Sequence, residues 1–383
     1  MDEPKSTDPI AELITRYHDL TGPEIEELRE EPSPLQFMRY VARNTPFVLR
    51  GGARSWYATR AWSVGELKES LGDQPVNIAV TPAGNADAPT PYTHPDGTTT
   101  LVLAKPHEEP QPFSTFIDYL IAQERRHQQT DPTVQQPPPT EVRYAQTQDN
   151  NLQHEYILLS GGVPPDIPWA RIALQLRKPD ATNLWIGNSR SVTALHHDNY
   201  ENIYAQISGR KHFVLLPPAC VAGVNEQMLP LATYVRKEEE EEGVGGGFDL
   251  VIDRDEDRGG VSTSVPWAIW DPDRPTENAT AYSSLVVPMR VTLEPGDMLY
   301  LPALWYHKVS QSCSPEGVCI AVNYWYDMEY RGSLYPLAEF ARSIAHKEQM
   351  TTTSRSAGST EEPEETRLES NERRVTPIPN PPS

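Results

Sequence analysis

Residues 196–198 read His-His-Asp, and a run from Gly296 through Met298-Leu299-Tyr300-Leu301-Pro302 and Leu304-Trp305-Tyr306 ends at His307. Two imidazoles and one carboxylate are the ligand set of a facial triad, which holds Fe(II) and leaves positions open for oxygen and a cosubstrate. Side chains alternate along a strand, so His196 and Asp198 can share one face while His197 turns away. His307 would then arrive from a neighbouring strand. The pattern points to an enzyme.

A bare His-x-carboxylate is weak evidence, since composition alone yields about 1.4 such matches in a chain of this length. Four are present, and context separates them. His94-Pro95-Asp96-Gly97 reads as a turn, and His107-Glu108-Glu109 lies between prolines and reads as a loop. His346-Lys347-Glu348 sits at the end of a polar helix. Only His196 is followed by strand-like residues, a compact turn and a distant histidine.

Those ligands need a rigid β scaffold. Strand patterns cover Val142–Gln146, Asn183–Gly187, Ser191–Leu195, Asn202–Ile207, Lys211–Leu216, Val286–Leu293, Met298–Pro302 and Val318–Tyr326. Ser208-Gly209-Arg210 reads as a hairpin turn between two of them. Glu294-Pro295-Gly296-Asp297 has Pro and Gly where a type II turn wants them. Before these come helices opened by Asp8-Pro9, Ser33-Pro34 and Ser63-Val64-Gly65-Glu66, and strands at Pro46–Arg50 and Val76–Thr81. Ser333 to Lys347 closes the fold as a helix with Leu334, Leu337, Phe340 and Ile344 on its apolar face. Many short strands with Gly and Pro turns predict a mainly β protein with flanking helices: a cupin-like jelly roll, or double-stranded β-helix, with N-terminal α/β elements packed against it and a C-terminal helix.

The expected organisation is an acidic helical segment over 1–32, a catalytic domain over 33–345 and a disordered tail over 346–383. Residues 124–141 read as a Pro-rich loop and 236–260 as a flexible acidic, Gly-rich insertion. The formal charge is −21, with −7 in residues 1–31 and −6 in 236–260, so most of the excess lies in two peripheral segments. Such a balance disfavours nucleic acid as a partner. The three cysteines form no metal or redox spacing and suit a reducing compartment. With no signal peptide pattern and no apolar run of membrane-spanning length, a soluble protein of the cytoplasm, or also of the nucleus, is expected. No nucleophile elbow or P-loop is present.

Across residues 33–345 the chain resembles the Jumonji-C oxygenases, most strongly over Asn183–Pro218 and Leu293–Tyr330. Within them it is similar to the small hydroxylases that modify a lysine of developmentally regulated GTP-binding proteins. Tyr200-Glu201-Asn202-Ile203-Tyr204, Leu301-Pro302-Ala303-Leu304-Trp305, the run Ala321–Tyr330 and the run Ala79–Ala88 carry this closer match. The resemblance implies Fe(II), with O2 and 2-oxoglutarate as cosubstrates, and His196, Asp198 and His307 as iron ligands. It places Lys211 on the far carboxylate of 2-oxoglutarate, where an ammonium makes a strong charge-assisted pair. Tyr144 and Thr193 match hydroxyls that complete this anion site. Thr193 lies three residues before His196, on the opposite strand parity, and local backbone twist must reconcile the two. Asn202 and Asn323 fit the iron-side end of the cosubstrate, or simply satisfy one another inside the barrel. Tyr204, Trp305 and Trp325 read as walls and core, while Asp327 or Glu329 could face a lysine ammonium at the mouth.

The resemblance thus implies a protein lysyl hydroxylase, with a protein substrate and a homodimer formed through the C-terminal helices. Methyl-lysine demethylation shares the same C–H oxidation, and a non-catalytic cupin scaffold shares the same fold. Neither a chromatin-reading module nor a lost ligand favours these alternatives.

Overall fold

Strands that are apolar on both faces must be covered twice, and here two facing sheets with helical layers do so. A computed structural model describes residues 8–129, 141–175, 177–237, 247–255 and 261–357. Eight strands form the barrel: β1 (Ala181–Gly187), β2 (Thr193–His196), β3 (Tyr200–Ser208), β4 (Arg210–Leu216), β5 (Met289–Leu293), β6 (Met298–Leu301), β7 (Tyr306–Ser312) and β8 (Cys319–Asp327). One sheet has the order β6-β3-β8-β1 and is extended beyond β6 by Phe47–Leu49 and Glu26–Leu28. The facing sheet has the order β5-β4-β7-β2. Strands of the two sheets alternate along the chain except at β4 and β5, which pair within one sheet, and this interleaving is the expected jelly roll.

The expected hairpin at Ser208-Gly209-Arg210 does not form. β3 pairs with β6 and β8, whereas β4 pairs with β5 and β7, so the chain crosses from one sheet to the other at this corner. A short turn between two apolar strands reads the same way in both cases; the strand partners are set by contacts far along the chain. Gly209 has φ +68°, and a Cβ there would lie 2.6 Å from the Ser312 carbonyl oxygen. Only glycine fits that corner. The expected turn at Glu294–Asp297 is present, with Asp297 N–H donating to the Glu294 carbonyl and Gly296 at φ +92°.

The N-terminal elements are tied into the same body. Asp8 caps the helix Pro9–Thr21, whose Ile14 is buried with Leu216 and Val221. Ser33 and Gln36 form a complete capping box on the helix Pro34–Arg43. Phe37 and Tyr40 of that helix pack against Phe47, Tyr300 and Trp169 at centroid distances of 4.6 to 6.3 Å. Residues 9–28 therefore belong to the fold, with Glu26–Leu28 as an edge strand, and do not form a separate helical segment.

Several other boundaries differ from expectation. Residues 124–129 continue the helix Phe113–Gln129 by burying Gln123 and Glu124 against Asn188 and Ser189, which overrides their polar composition. Residues 130–140 of the Pro-rich stretch lie outside the described residues. Within the acidic insertion, Phe248–Ile252 is a strand paired with Glu226–Arg236, while 238–246 and 256–260 lie outside the described residues. His107–Pro112 is likewise a strand, paired along Pro75–Thr81, where its prolines are tolerated because it is an edge. The last helix runs Leu334–Ala357, past the expected domain end at 345, and residues 358–383 lie outside the described residues. It docks through Ala338, Ala341 and Ala345, leaving Leu337 and Phe340 each 62% exposed. No described helix is long and apolar enough to cross a membrane.

Gly209→Ala should lower stability by roughly 1–3 kcal/mol, because it combines a left-handed backbone with a steric clash. A urea midpoint equal to that of the parent protein would contradict the corner's role.

Candidate metal centre

β2 and β7 run antiparallel with His196 opposite His307. The next pairing sets Val309 opposite Thr193, so β2 spends three residues where β7 spends two. This extra residue is a β-bulge, and it resolves the parity of Thr193: both Thr193 and His196 line one cavity. Asp198 is not on the strand with His196. It follows the end of β2, where the Leu304 N–H donates to its carbonyl at 2.8 Å. Leu304 holds φ +69°, a costly conformation for that residue type, and is buried between β6 and β7. Tyr300 OH donates to buried Glu201 at 2.6 Å, and the Ala303 N–H donates to the same carboxylate oxygen at 3.3 Å. Asn44 Nδ2 donates to the Ala303 carbonyl, and Trp305 Nε1 donates back to Asn44. These bonds hold the loop that holds Asp198. Burial raises Glu201 to about 6, opposed by the bonds from Tyr300 and Ala303.

The ligand atoms of His196, Asp198 and His307 lie within 4.8 Å of one another. Asp198 Oδ2 is 3.8 Å from His196 Nε2 and 3.6 Å from His307 Nε2. Each histidine has its Nδ1 on a backbone carbonyl two residues back, Ala194 for His196 at 2.8 Å and Trp305 for His307 at 3.0 Å. A carbonyl can only accept, so Nδ1 carries the proton and Nε2 offers its lone pair beside the carboxylate. Burial, with His196 alongside, lowers His307 to about 3, so it is neutral at neutral pH despite the opposing pull of Asp198. The donor set fits a divalent iron: three ligands converge on one side and both imidazoles are preset to bind.

Behind the triad lies a small cavity whose lining includes Tyr144, Thr193, Asn202, Lys211 and Asn323. Every residue expected to hold iron or 2-oxoglutarate lines it. Lys211, at the start of β4, is 3% exposed and donates to Tyr144 OH at 2.8 Å. Among the described residues it has no carboxylate partner. A buried ammonium facing only a neutral hydroxyl is chemically suited to pair with an anion. Gly187 makes this possible, since a Cβ there would lie 2.7 Å from the Tyr144 ring. Asn323 Nδ2 donates to Asn202 Oδ1 at 3.1 Å, while its own Oδ1 accepts from Trp185 Nε1 at 2.9 Å. Tyr204 and Trp325 are cavity walls, and Trp305 is core. Asp327 and Glu329 stay exposed and do not line the cavity.

Three features were not legible in the sequence. Trp267 stacks on His196, with planes 5° apart and centroids at 5.8 Å, and its buried indole N–H has no acceptor among the described residues. The buried Trp325 N–H likewise has no partner among the described residues. His197, turned from the metal as expected, has Nε2 against the Arg342 guanidinium of the C-terminal helix. Burial first, and that cation second, hold His197 down at about 4. Nothing in the local pattern around Trp267 or Arg342 signals these long-range contacts.

A cupin-like domain model matches residues 32–332. The human bifunctional peptidase and (3S)-lysyl hydroxylase JMJD7 is 37% identical over 304 residues, covering 79% of this chain and 84% of that protein. The chain belongs to the cupin-like JmjC proteins. The lysine-specific demethylase JMJ32 of Arabidopsis thaliana is 32% identical over 336 residues, 85% of this chain and 88% of its own length. The JmjC domain-containing protein E of Dictyostelium discoideum is 30% identical over 339 residues, 83% and 92% of the two chains. The cupin-like match spans the elements from the helix Pro34–Arg43 onward together with the barrel, in agreement with one continuous fold.

His307 and His197 also set a pH dependence. Both folded-state values lie below the ordinary histidine value of about 6.5, so in acid the unfolded chain takes up protons that the folded chain refuses. Stability of the metal-free protein should be insensitive to these groups above pH 6.5. It should fall as pH drops from about 6.5 towards about 4 and then about 3. Thermal melts of the parent and His197→Phe across this range test it: the variant should lose less stability on acidification, and parallel curves would refute the assignment.

Proposed function

We propose that this JmjC protein is an Fe(II)- and 2-oxoglutarate-dependent hydroxylase that oxidises a carbon of a lysine side chain in a protein substrate, specifically a GTP-binding protein. The observation that carries this reading is the meeting, in one cavity, of a two-histidine, one-carboxylate cup and the uncompensated cation of Lys211. A metal-free scaffold has no use for both. His196, Asp198 and His307 hold the iron, which when bound activates O2, so that one oxygen atom enters the substrate C–H bond and the other enters succinate as 2-oxoglutarate loses CO2.

The chain's own groups do the positioning. Lys211 pairs with the far carboxylate of 2-oxoglutarate, and the hydroxyls of Tyr144 and Thr193 complete that site. Asn202 accepts from Asn323, which leaves the Asn202 amide nitrogen as the donor toward the iron-side end of the cosubstrate. Asn323, held by Trp185 on its other side, fixes that orientation. The named relatives support protein lysine as the substrate class, one being a lysyl hydroxylase and another a lysine-specific demethylase. The second name also supports a demethylase reading, in which the same oxidation falls on an N-methyl carbon and formaldehyde leaves. The exposed Leu337 and Phe340 face supports a homodimer through the C-terminal helices.

Asp198→Ala should lower both Fe(II) binding and turnover by more than about 100-fold, since two ligands do not define the metal geometry. Lys211→Ala should leave Fe(II) binding in place and raise the 2-oxoglutarate requirement by about 30-fold or more, the cost of breaking a buried charge pair. Equal loss of both affinities in Lys211→Ala would contradict the division of labour. Tandem mass spectrometry of GTP-binding proteins incubated with enzyme, Fe(II), ascorbate and 2-oxoglutarate tests the substrate. A single-oxygen gain on unmodified lysine, absent with His196→Ala, is the expected result. Loss of methyl groups from lysine, or oxidation confined to other residue types, would overturn it.

A further inference from the structure

We infer that Arg342, on the last helix, is a positioning residue for the metal cup, bracing its ligand segments from the side away from the cavity. This rests on the metal-binding reading of His196, Asp198 and His307 and adds the side chain that fixes them from behind. His197 stands between two of these ligands and turns from the cup, so anchoring its ring fixes the backbone that aims both neighbours. The Arg342 guanidinium supplies that anchor by donating to His197 Nε2. A guanidinium can only donate, so this nitrogen accepts and Nδ1 carries the ring proton. Tyr306, immediately before the ligand His307, meets the same ring edge-on at a centroid distance of 5.0 Å.

Arg342 is itself held in place. Its Nε lies 3.0 Å from the carboxylate of the buried Glu226, and its Nη1 donates to Glu339 at 2.9 Å. Glu226 also accepts from Tyr306 OH at 3.2 Å, so the cation and the strand of His307 share one carboxylate. Across the ladder Glu226 faces Ala268, the neighbour of the Trp267 that stacks on His196. One turn before Arg342, Ala338 packs with Leu304, whose N–H holds the Asp198 carbonyl. His197, Leu304, Tyr306 and Arg342 line one small cavity, where the helix meets the segments that carry all three ligands.

An ion pair that only fastened the helix would need Glu226 and Glu339. The third contact, to a ring set between two metal ligands, serves the cup. Arginine suits this task because its planar fork reaches several partners in fixed geometry, which a lysine ammonium does not.

The test titrates the full-length metal-free protein with Co(II), a spectroscopic stand-in for Fe(II), and records a thermal melt of each variant alongside. Arg342→Met combined with Glu226→Gln removes both charges of the buried pair while keeping its volume, so the melting point should stay close to that of the parent. Its Co(II) affinity should fall by about 10-fold or more, the usual effect of losing a group that orients a ligand. The visible absorption of its saturated Co(II) complex should also change shape, which the loss of a mere helix anchor would not cause. His197→Phe leaves the Arg342–Glu226 pair intact and cuts only the link to the ligand segment; it should weaken Co(II) binding in the same way. Arg342→Lys, which keeps the charge beside Glu226 but not the fork, should fall between the parent and the double variant. Parent-like affinity and spectrum in either folded variant would overturn the proposal and leave Arg342 as a helix anchor. Should the double variant fail to fold, His197→Phe decides alone. If the parent binds no Co(II), or His196→Ala binds it as tightly as the parent, the reading of the cup itself fails.

Discussion

The register between β2 and β7 governs this molecule. Setting His196 opposite His307 brings two imidazoles onto one face from strands about 110 residues apart, and everything else must respect that alignment. The bulge in β2 lets Thr193 share the cavity, and the end of β2 directs Asp198 away from the ladder to complete the cup. A one-residue slip without the bulge would turn one histidine out of the site. The pairing is therefore guarded on both sides: β7 is fixed by β4, and the loop before β7 is fixed by Glu201, Tyr300 and Asn44. Leu304 bears the strain of that loop and uses its N–H to hold the Asp198 carbonyl.

The second constraint is a buried charge. Lys211 can sit at 3% exposure because β4 begins immediately after the Gly209 corner, on the sheet opposite to β3. Were β3 and β4 a hairpin, Lys211 would remain in the sheet of β3, beside the exposed turn. The crossing carries it to the cavity floor, with Gly187 leaving room for the Tyr144 ring that brings the hydroxyl to its ammonium. A lone buried cation opposes folding, so the fold tolerates this cost only through the rigid pairing of β4 with both β5 and β7. An anion that paired with this cation would return the energy as binding.

Much of this was legible in the chain, for identifiable reasons. The barrel strands announce themselves by apolar runs between Gly and Pro turns, and His196 and His307 stand where chemistry and strand context coincide; Asp198 follows the end of its expected strand, and Lys211 and Tyr144 were legible only through the family resemblance. The failures are equally physical. The sequence around Gly209 specifies a tight turn, but a turn does not say which strands will pair; partners as distant as Met289 and Ser312 decide that. The strand His107–Pro112 is hidden by prolines that an edge can accommodate, and Phe248–Ile252 by the acidic residues that precede it. On the last helix, Leu337 and Phe340 mimic a buried stripe, yet the helix docks by small alanines that allow close approach.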